Sequence, residues 1–226
     1  MSSTNRSEAR KEHIADYYVT TISDIQMFLD EFKKIDGVTK KFQNGIIVDP
    51  CSGGNNEIKD SHGIREVAHL MSYPEALNKC FGENTELDIR TYDVRQDSLA
   101  ENKCNYLTTK LDYTPNVIIS NPPFKYGIDF IKKALDDVAD DGYVIMLLRL
   151  NFFGSKERKV FFDEYMPEYC FVHHRRISFT EKKNDKGYIE FNASNQPKKG
   201  STDSIEYCHM VWRKGYTPDC TKLYIV

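Results

Sequence analysis

The residues with the clearest chemical potential follow three apolar segments, at the points where those segments end. Asp49-Pro50-Cys51-Ser52-Gly53-Gly54 follows the first, Tyr92-Asp93 the second and Asn121-Pro122-Pro123-Phe124 the third. Because ligands bind at the carboxyl ends of the strands in an open parallel sheet, we expect these segments to meet at one edge. The sequence therefore predicts a ligand site built from three strand ends.

Asn121-Pro122-Pro123-Phe124 is the most specific of these segments. Two consecutive prolines remove two backbone donors and fix two φ angles, so the peptide is rigid. It offers two acceptors, the Asn121 side-chain oxygen and the Pro122 carbonyl, beside the ring of Phe124. An amino group on an aromatic ring has two N–H donors and a π face, which match that set. The segment predicts binding of a planar base with an exocyclic amine, whereas a plain strand end would leave Asn121 and Phe124 unexplained.

The other two strand ends carry weaker signals. Gly53 and Gly54 would let a ligand approach the main chain closely, although two glycines after a strand also form ordinary turns. Asp93 could accept hydrogen bonds from both hydroxyls of a ribose. The alternatives for Asp93, a helix cap or a surface charge, stay open.

The elements that would position these residues alternate between strands and helices. Apolar spacing predicts helices over residues 17–32, 74–81, 127–138 and 155–165, the first capped by Thr21 or Ser23. Short apolar or alternating runs predict strands over residues 45–50, 87–92, 116–120, 143–150, 171–179, 188–191, 205–213 and 223–226. This order is typical of an α/β fold with a mostly parallel sheet and antiparallel C-terminal strands. No linker is apparent, so we expect one domain over residues 1–226.

Composition excludes several classes of protein. The chain has 226 residues, of which 40% are hydrophobic and 29% charged, as in one globular domain. The longest apolar run stops at Arg149, too early to span a bilayer, and the polar N-terminus has no secretion signal, so we expect a cytoplasmic protein without membrane contact. The six cysteines are far apart, and the adjacent His173 and His174 would point to opposite faces of a strand. We therefore expect neither a metal site nor disulfides.

Positive charge is concentrated in residues 173–200, which hold seven basic and three acidic residues in a chain of net charge −3. The basic residues are Arg175, Arg176, Lys182, Lys183, Lys186, Lys198 and Lys199. A basic segment on an acidic body suits contact with a polyanion, and a solvated loop is the alternative. Turn residues predict a projecting hairpin or loop over residues 180–204.

Together, the proline-containing segment and the upstream Asp49–Gly54 segment resemble the S-adenosylmethionine-dependent methyltransferases that act on adenine N6 in DNA. Tyr17-Tyr18-Val19-Thr20-Thr21 resembles the N-terminal cofactor motif of that family, and the order of motifs is that of its gamma-type members. Residues 176–179 and 204–208 resemble compact phage-encoded members, for which the location would be the host cytoplasm. The resemblance implies a Rossmann-like class I fold, S-adenosylmethionine as cofactor and DNA as partner.

The resemblance also implies a role for each matching residue. The catalytic set would be Asn121, Pro122, Pro123 and Phe124. The cofactor-binding set would be Tyr18, Thr20, Thr21, Asp49, Pro50, Cys51, Gly53, Asp93 and Asn105. The seven basic residues of the 173–200 segment would bind nucleic acid, with residues 180–204 as the recognition element.

Three positions depart from the family pattern. Asn105 stands where an acid usually contacts the cofactor's adenine, Asn55 where a glycine is common, and Thr21 where a proline is frequent. In addition, residues 61–77 look inserted and would form a lid or a dimer surface. Other substrates stay open: similar motifs serve enzymes that methylate RNA adenine or protein glutamine. A catalytically degenerate module that binds DNA or a partner is a further alternative, and the oligomeric state, with a homodimer among the options, is undetermined.

Overall fold

A computed structural model describes residues 19–60, 63–177, 179, 190, 193, 198 and 205–226. Its nine strands are β1 (Ile46–Asp49), β2 (Asn55–Asp60), β3 (Gly63–His69), β4 (Asp88–Thr91), β5 (Val117–Ser120), β6 (Tyr143–Arg149), β7 (Tyr169–Val172), β8 (Tyr207–Arg213) and β9 (Lys222–Ile225). Seven of them form one sheet in the order β4-β1-β5-β6-β8-β7-β9. Strand β8 runs antiparallel to both neighbours, while the remaining pairs are parallel. The carboxyl ends of β1, β4, β5, β6 and β7 therefore share one edge of the sheet.

In the described part of the chain, five α-helices cover both faces of this sheet. They are α1 (Ile22–Phe32), α2 (Val38–Gln43), α3 (Ser72–Phe81), α4 (Gly127–Asp137) and α5 (Lys156–Glu164). Alternate residues of a strand point to opposite faces, so Ile47 packs in a cluster with α1, α2 and α3, whereas its neighbour Val48 packs with α4 and α5. The result is a three-layer α/β/α arrangement, and the predicted fold class is confirmed.

The predicted elements that fall on described residues are present with shifted limits. Helix α1 begins at Ile22 and not at residue 17, with Thr21 as its N-cap, and Ser155 caps α5. Strand β7 ends at Val172, whereas the prediction extended it to residue 179. Helix α2 has only six residues and was not predicted. The strand predicted over residues 188–191 lies outside the described residues except for residue 190.

The segment predicted to be inserted, residues 61–77, spans two different elements. Strands β2 and β3 form a separate antiparallel hairpin outside the seven-stranded sheet. Residues 72–77 belong instead to α3, where Tyr73 and Leu77 are buried in the core. A lid or dimer surface therefore stays a prediction for the hairpin alone.

The adjacent histidines His173 and His174 have different partners. His173 Nε2 lies 2.9 Å from His209 Nδ1, and Tyr73 Oη lies 3.0 Å from His209 Nε2, whereas His174 Nδ1 lies 2.6 Å from the carbonyl oxygen of Val226. Burial lowers the pKa of His173 to about 4 and also lowers the pKa of His209, so both rings are neutral near pH 7.

The described part of the chain contains no group of three or more His, Cys, Asp or Glu side chains placed to hold a metal ion. Within the same residues, no helix combines the length and apolar character needed to cross a membrane.

Candidate active site at the carboxyl edge of the sheet

The three polar strand ends converge at the carboxyl edge of β4, β1 and β5. The backbone N–H of Tyr92 donates to the carbonyl of Asp49 at 2.9 Å, which ties the end of β4 to the end of β1. The hydroxyl of Ser120, the last residue of β5, donates to Asp49 Oδ1 at 2.6 Å. Asp49 thus links the first and third segments in one buried junction.

The glycine turn after β1 is held in a left-handed conformation by its surroundings. Gly53 has φ 66° and Gly54 has φ 77°. The N–H of Gly53 donates to Asp93 Oδ2 at 2.9 Å, and its carbonyl accepts from the N–H of Leu99 at 3.0 Å. Arg95 Nη2 donates to the carbonyl of Gly54 at 2.8 Å. These bonds preorganise the turn as a fixed cradle of main chain.

Asp93 holds this turn in place. Its Oδ2 accepts from Gly53, and its Oδ1 accepts from the backbone N–H of Arg95 at 2.8 Å. Each carboxylate oxygen has a second lone pair, and Asp93 lies on the wall of the neighbouring cavity. Ribose binding by Asp93 therefore stays a prediction, alongside a structural role that the sequence did not indicate.

The carboxyl group of Asp49 is fully buried. Its Oδ1 accepts from Ser120 and from the backbone N–H of Cys51 at 3.1 Å, while its Oδ2 has no hydrogen-bond partner among the described residues. Burial raises the pKa of this carboxyl to about 7. Burial and the nearby carboxylates of Asp49 and Asp93 raise the pKa of the Cys51 thiol, so Cys51 is not a nucleophile at neutral pH.

The shifted pKa of Asp49 makes the stability of the protein depend on pH. With a pKa of about 7 when folded and about 4 when unfolded, Asp49 contributes stability below pH 4 that is lost as the pH rises through 7. Asn at this position keeps an acceptor but does not titrate. We expect the free energy of unfolding of the wild type, relative to Asp49→Asn, to fall by on the order of 2 kcal/mol between pH 5 and pH 8. Urea unfolding of both proteins at both pH values measures this difference in the free energy of unfolding. A difference that does not change with pH would contradict the raised pKa of Asp49.

A cavity of about 510 Å³ opens beside this junction. Its size is within the range of small-molecule and cofactor sites. Six of the predicted site residues line it: Pro50, Cys51, Asp93, Asn105, Asn121 and Pro123. Sequence reasoning did not identify the others, which are Val94, Arg95, Cys104, Tyr106, Leu107, Lys125, Tyr126 and Phe130. The cavity therefore joins the predicted cofactor residues to the predicted catalytic segment.

The side chain of Asn121 is held by the segment that precedes α1. Its Nδ2 donates to Thr20 Oγ1 at 3.0 Å, and Thr20 is buried. The hydroxyl of the neighbouring Thr21 donates to Asp24 and caps the helix, and its contact with a cofactor stays a prediction. Thr20 thus fixes the amide plane of Asn121. Tyr18 lies outside the described residues.

Phe124 is not part of the cavity wall. Its half-buried ring lies 5.7 Å from that of Tyr207 and 6.4 Å from that of Phe179, measured between ring centroids. The guanidinium carbon of Arg149 lies 4.7 Å from the Phe124 ring centroid. Stacking of Phe124 on a base stays a prediction, and the structure adds Arg149 as a neighbour that sequence reasoning did not include.

Asn105 lines the cavity and caps a short 3-10 turn at Tyr106–Thr108. Its Oδ1 accepts from the N–H of Leu107 at 3.1 Å, which an aspartate at this position would do equally well. Contact between Asn105 and a cofactor amine remains a prediction.

The basic residues predicted to bind nucleic acid are only partly described. Lys182, Lys183, Lys186, Lys199 and most of residues 180–204 lie outside the described residues. Lys198 forms an ion pair with Glu190 at 3.2 Å, and Arg176 lies 3.9 Å from a carboxylate oxygen of Glu206. Arg175 and Arg176 follow β7, at the same edge of the sheet as Asn121, and both remain candidates for contact with a polyanion.

No protein-family model and no curated protein matches this sequence. Solved structures do match. A Listeria monocytogenes protein described as a class I S-adenosylmethionine-dependent methyltransferase aligns with a TM-score of 0.58 and 13% identity, over 96% of this chain and 68% of its own length. The type IIG restriction endonuclease BpuSI aligns with a TM-score of 0.53 and 10% identity, over 93% of this chain and 27% of its own. A protein from Vibrio vulnificus described as the modification subunit of a type I restriction enzyme aligns with a TM-score of 0.53 and 9% identity, over 93% and 47%.

These alignments show that the chain has the Rossmann-like fold of class I methyltransferases. The chain spans well under two thirds of the length of the two restriction proteins. The Listeria monocytogenes protein is described as S-adenosylmethionine-dependent.

Proposed function

We propose that this protein transfers the methyl group of S-adenosylmethionine to the N6 amino group of adenine in DNA. The observation that carries the proposal is the position of Asn121 at the end of β5, fixed by Thr20 and lying on the wall of the cavity. Two of the structural neighbours are named as restriction or modification proteins, which supports DNA as the substrate.

The residues around the cavity fit this cofactor. A Cβ atom on Gly54 would come within 2.9 Å of Leu99 Cβ, so the turn follows a path that only glycine permits. Leu107, Phe130 and Pro123 supply apolar walls for a planar base, with polar groups of Asp93 and Asn105 nearby. The buried carboxyl group of Asp49 lies beside the site and becomes ionised as the pH rises through about 7. When bound, S-adenosylmethionine supplies a methyl group that is activated by a positively charged sulfur.

The catalytic segment would activate the amine by positioning it. The lone pair of an aromatic amine is delocalised into its ring. The side-chain oxygen of Asn121 and the carbonyl of Pro122 would accept its two N–H groups and orient that lone pair for in-line attack. No strong base is required, because the amine proton can leave after the new bond has formed. Alignment of the reacting atoms therefore supplies most of the acceleration.

Access to adenine N6 requires the base to leave the duplex, since this nitrogen is paired there. In this proposal Phe124 stacks on the extruded base, and the basic residues after β7 neutralise phosphates of the backbone. The segment 180–204 is the proposed recognition element, and it is short enough that only a few base pairs would be specified.

Product analysis tests the proposal directly. The protein is incubated with labelled S-adenosylmethionine and, in separate reactions, with a mixture of DNA duplexes and single strands, a matched RNA mixture or a mixture of proteins. The nucleic acids are digested to nucleosides and the proteins to amino acids. We expect label in N6-methyldeoxyadenosine with the wild type and none with Asn121→Ala, which controls for contaminating enzymes. Label only in N6-methyladenosine, or only in a glutamine of added protein, would identify an RNA or protein methyltransferase. Failure to bind the cofactor by calorimetry would identify a degenerate module.

A further inference from the structure

Arg149 is the last residue of β6 and lies beside the predicted catalytic segment. Its guanidinium lies over the ring of Phe124 at 4.7 Å, next to the catalytic segment. The Nε atom is buried and has no hydrogen-bond partner among the described residues, which also provide no ion pair to this side chain. A buried guanidinium donor without an acceptor is costly unless a ligand supplies one.

The sheet topology places Arg149 within a series of cationic side chains. Strands β5, β6 and β7 run in the same direction, so the residues at their carboxyl ends lie along one edge. That edge carries Asn121 after β5, Arg149 at the end of β6, and Arg175 with Arg176 after β7. Glu206, which lies 3.9 Å from Arg176, is adjacent in sequence to Tyr207, the residue that pairs with Arg149 across β6 and β8. Arg149 is thus the guanidinium of this series that lies against the catalytic segment.

We propose that Arg149 binds the backbone phosphate of the target nucleotide and so anchors the extruded base against Phe124. Guanidinium matches phosphate geometry through paired N–H donors, and the ring of Phe124 holds its plane by a cation–π contact. Arg149 is therefore a binding residue for the nucleic acid and has no part in cofactor binding. This inference rests on the proposed function.

The test uses Arg149→Met, which keeps a long apolar side chain without the charge. A matched control is Arg158→Met, because Arg158 stacks on Phe152 at the same 4.7 Å but belongs to α5 and bonds to backbone carbonyls. We expect Arg149→Met to weaken binding of a DNA oligonucleotide by about ten- to a hundredfold. The slope of log affinity against log salt should become shallower by about one, and cofactor affinity should not change. The control should bind DNA like the wild type.

A neutral methylphosphonate linkage is placed in turn on either side of the target adenosine. It distinguishes binding of a phosphate by Arg149 from packing of Arg149 on the Phe124 ring. One of these linkages should weaken wild-type binding about as much as Arg149→Met does, and the two changes together should weaken it no further. Full additivity of the two losses, or a loss in Arg149→Met without a change in salt dependence, would show that Arg149 only packs on Phe124. Arg149→Gln replaces the methionine variant if the latter does not fold. If the wild type methylates DNA and the Arg149 variants bind DNA with the same affinity and salt dependence as the wild type, the inference about Arg149 is wrong. If the wild type does not methylate DNA, the proposed function itself is wrong.

Discussion

Replacing Asn121 with alanine is expected to reduce the rate of methyl transfer by at least about a hundred- to a thousandfold while leaving cofactor affinity within about twofold of the wild type. The side-chain oxygen of Asn121 is the acceptor that would orient the amine. Cofactor contacts are instead predicted for the glycine turn, Asp93 and Asn105. Single-turnover methylation assays and calorimetry measure the two quantities separately.

The hydrogen bond between Asn121 and Thr20 allows the orientation of the Asn121 amide to be changed without removing the amide itself. Thr20→Val keeps the shape of the side chain but removes the acceptor for Asn121 Nδ2, which lies 3.0 Å from the hydroxyl oxygen. We expect an intermediate loss of rate, because the amide remains present but its plane is no longer fixed. Ser155→Ala is the control, since loss of the cap of helix α5 should lower stability by about 1 kcal/mol and leave the rate per folded molecule unchanged. A loss of cofactor affinity in Asn121→Ala equal to the loss of rate would contradict the assigned role.

The fold was largely predictable because its strands carry strong local signals. The uniformly apolar segments at β1, β5 and β6 are buried on both faces, and they are the parallel strands at the centre of the sheet. Helix α2 gave too little signal, since only Val38 and Phe42 are buried in its six residues. The β2–β3 hairpin lies outside the main sheet, and its largely polar sequence carries no clear strand pattern.

The candidate site was predictable only as far as strand ends determine it. Sequence order together with sheet topology places Asp49, Asp93 and Asn121 at one edge. The contacts that organise this edge join residues far apart in the chain: Thr20 to Asn121, Asp93 to Gly53, and Arg149 to Phe124. No local pattern encodes such pairs, because they arise from packing of the complete fold. Arg149 was visible in the sequence only as the charge that ends an apolar run.

The shape of the glycine turn after β1 can be tested by substitution of Gly54. Gly54→Ala places a Cβ atom 2.9 Å from Leu99 Cβ and a side chain on a residue with φ 77°. The Cβ of Leu99 cannot rotate away, so the turn itself has to move. Strain in the left-handed region costs about 1–2 kcal/mol and overpacking about 1–3 kcal/mol, and we expect stability to fall by about 2–4 kcal/mol in total. Affinity for S-adenosylmethionine should fall by about tenfold or more, because the cradle no longer has its preorganised shape.

Gly37→Ala separates backbone strain from the effect on the site. Gly37 has φ 79°, and a Cβ there would meet no atom within 4 Å. It precedes α2, away from the cavity. Its substitution should cost about 1–2 kcal/mol of stability and leave cofactor affinity at the wild-type value. Urea unfolding and calorimetry on both variants make the comparison. Equal loss of cofactor affinity in the two would mean that general destabilisation, and not the shape of the turn, controls binding. Unchanged affinity in Gly54→Ala would remove the turn after β1 from the cofactor site.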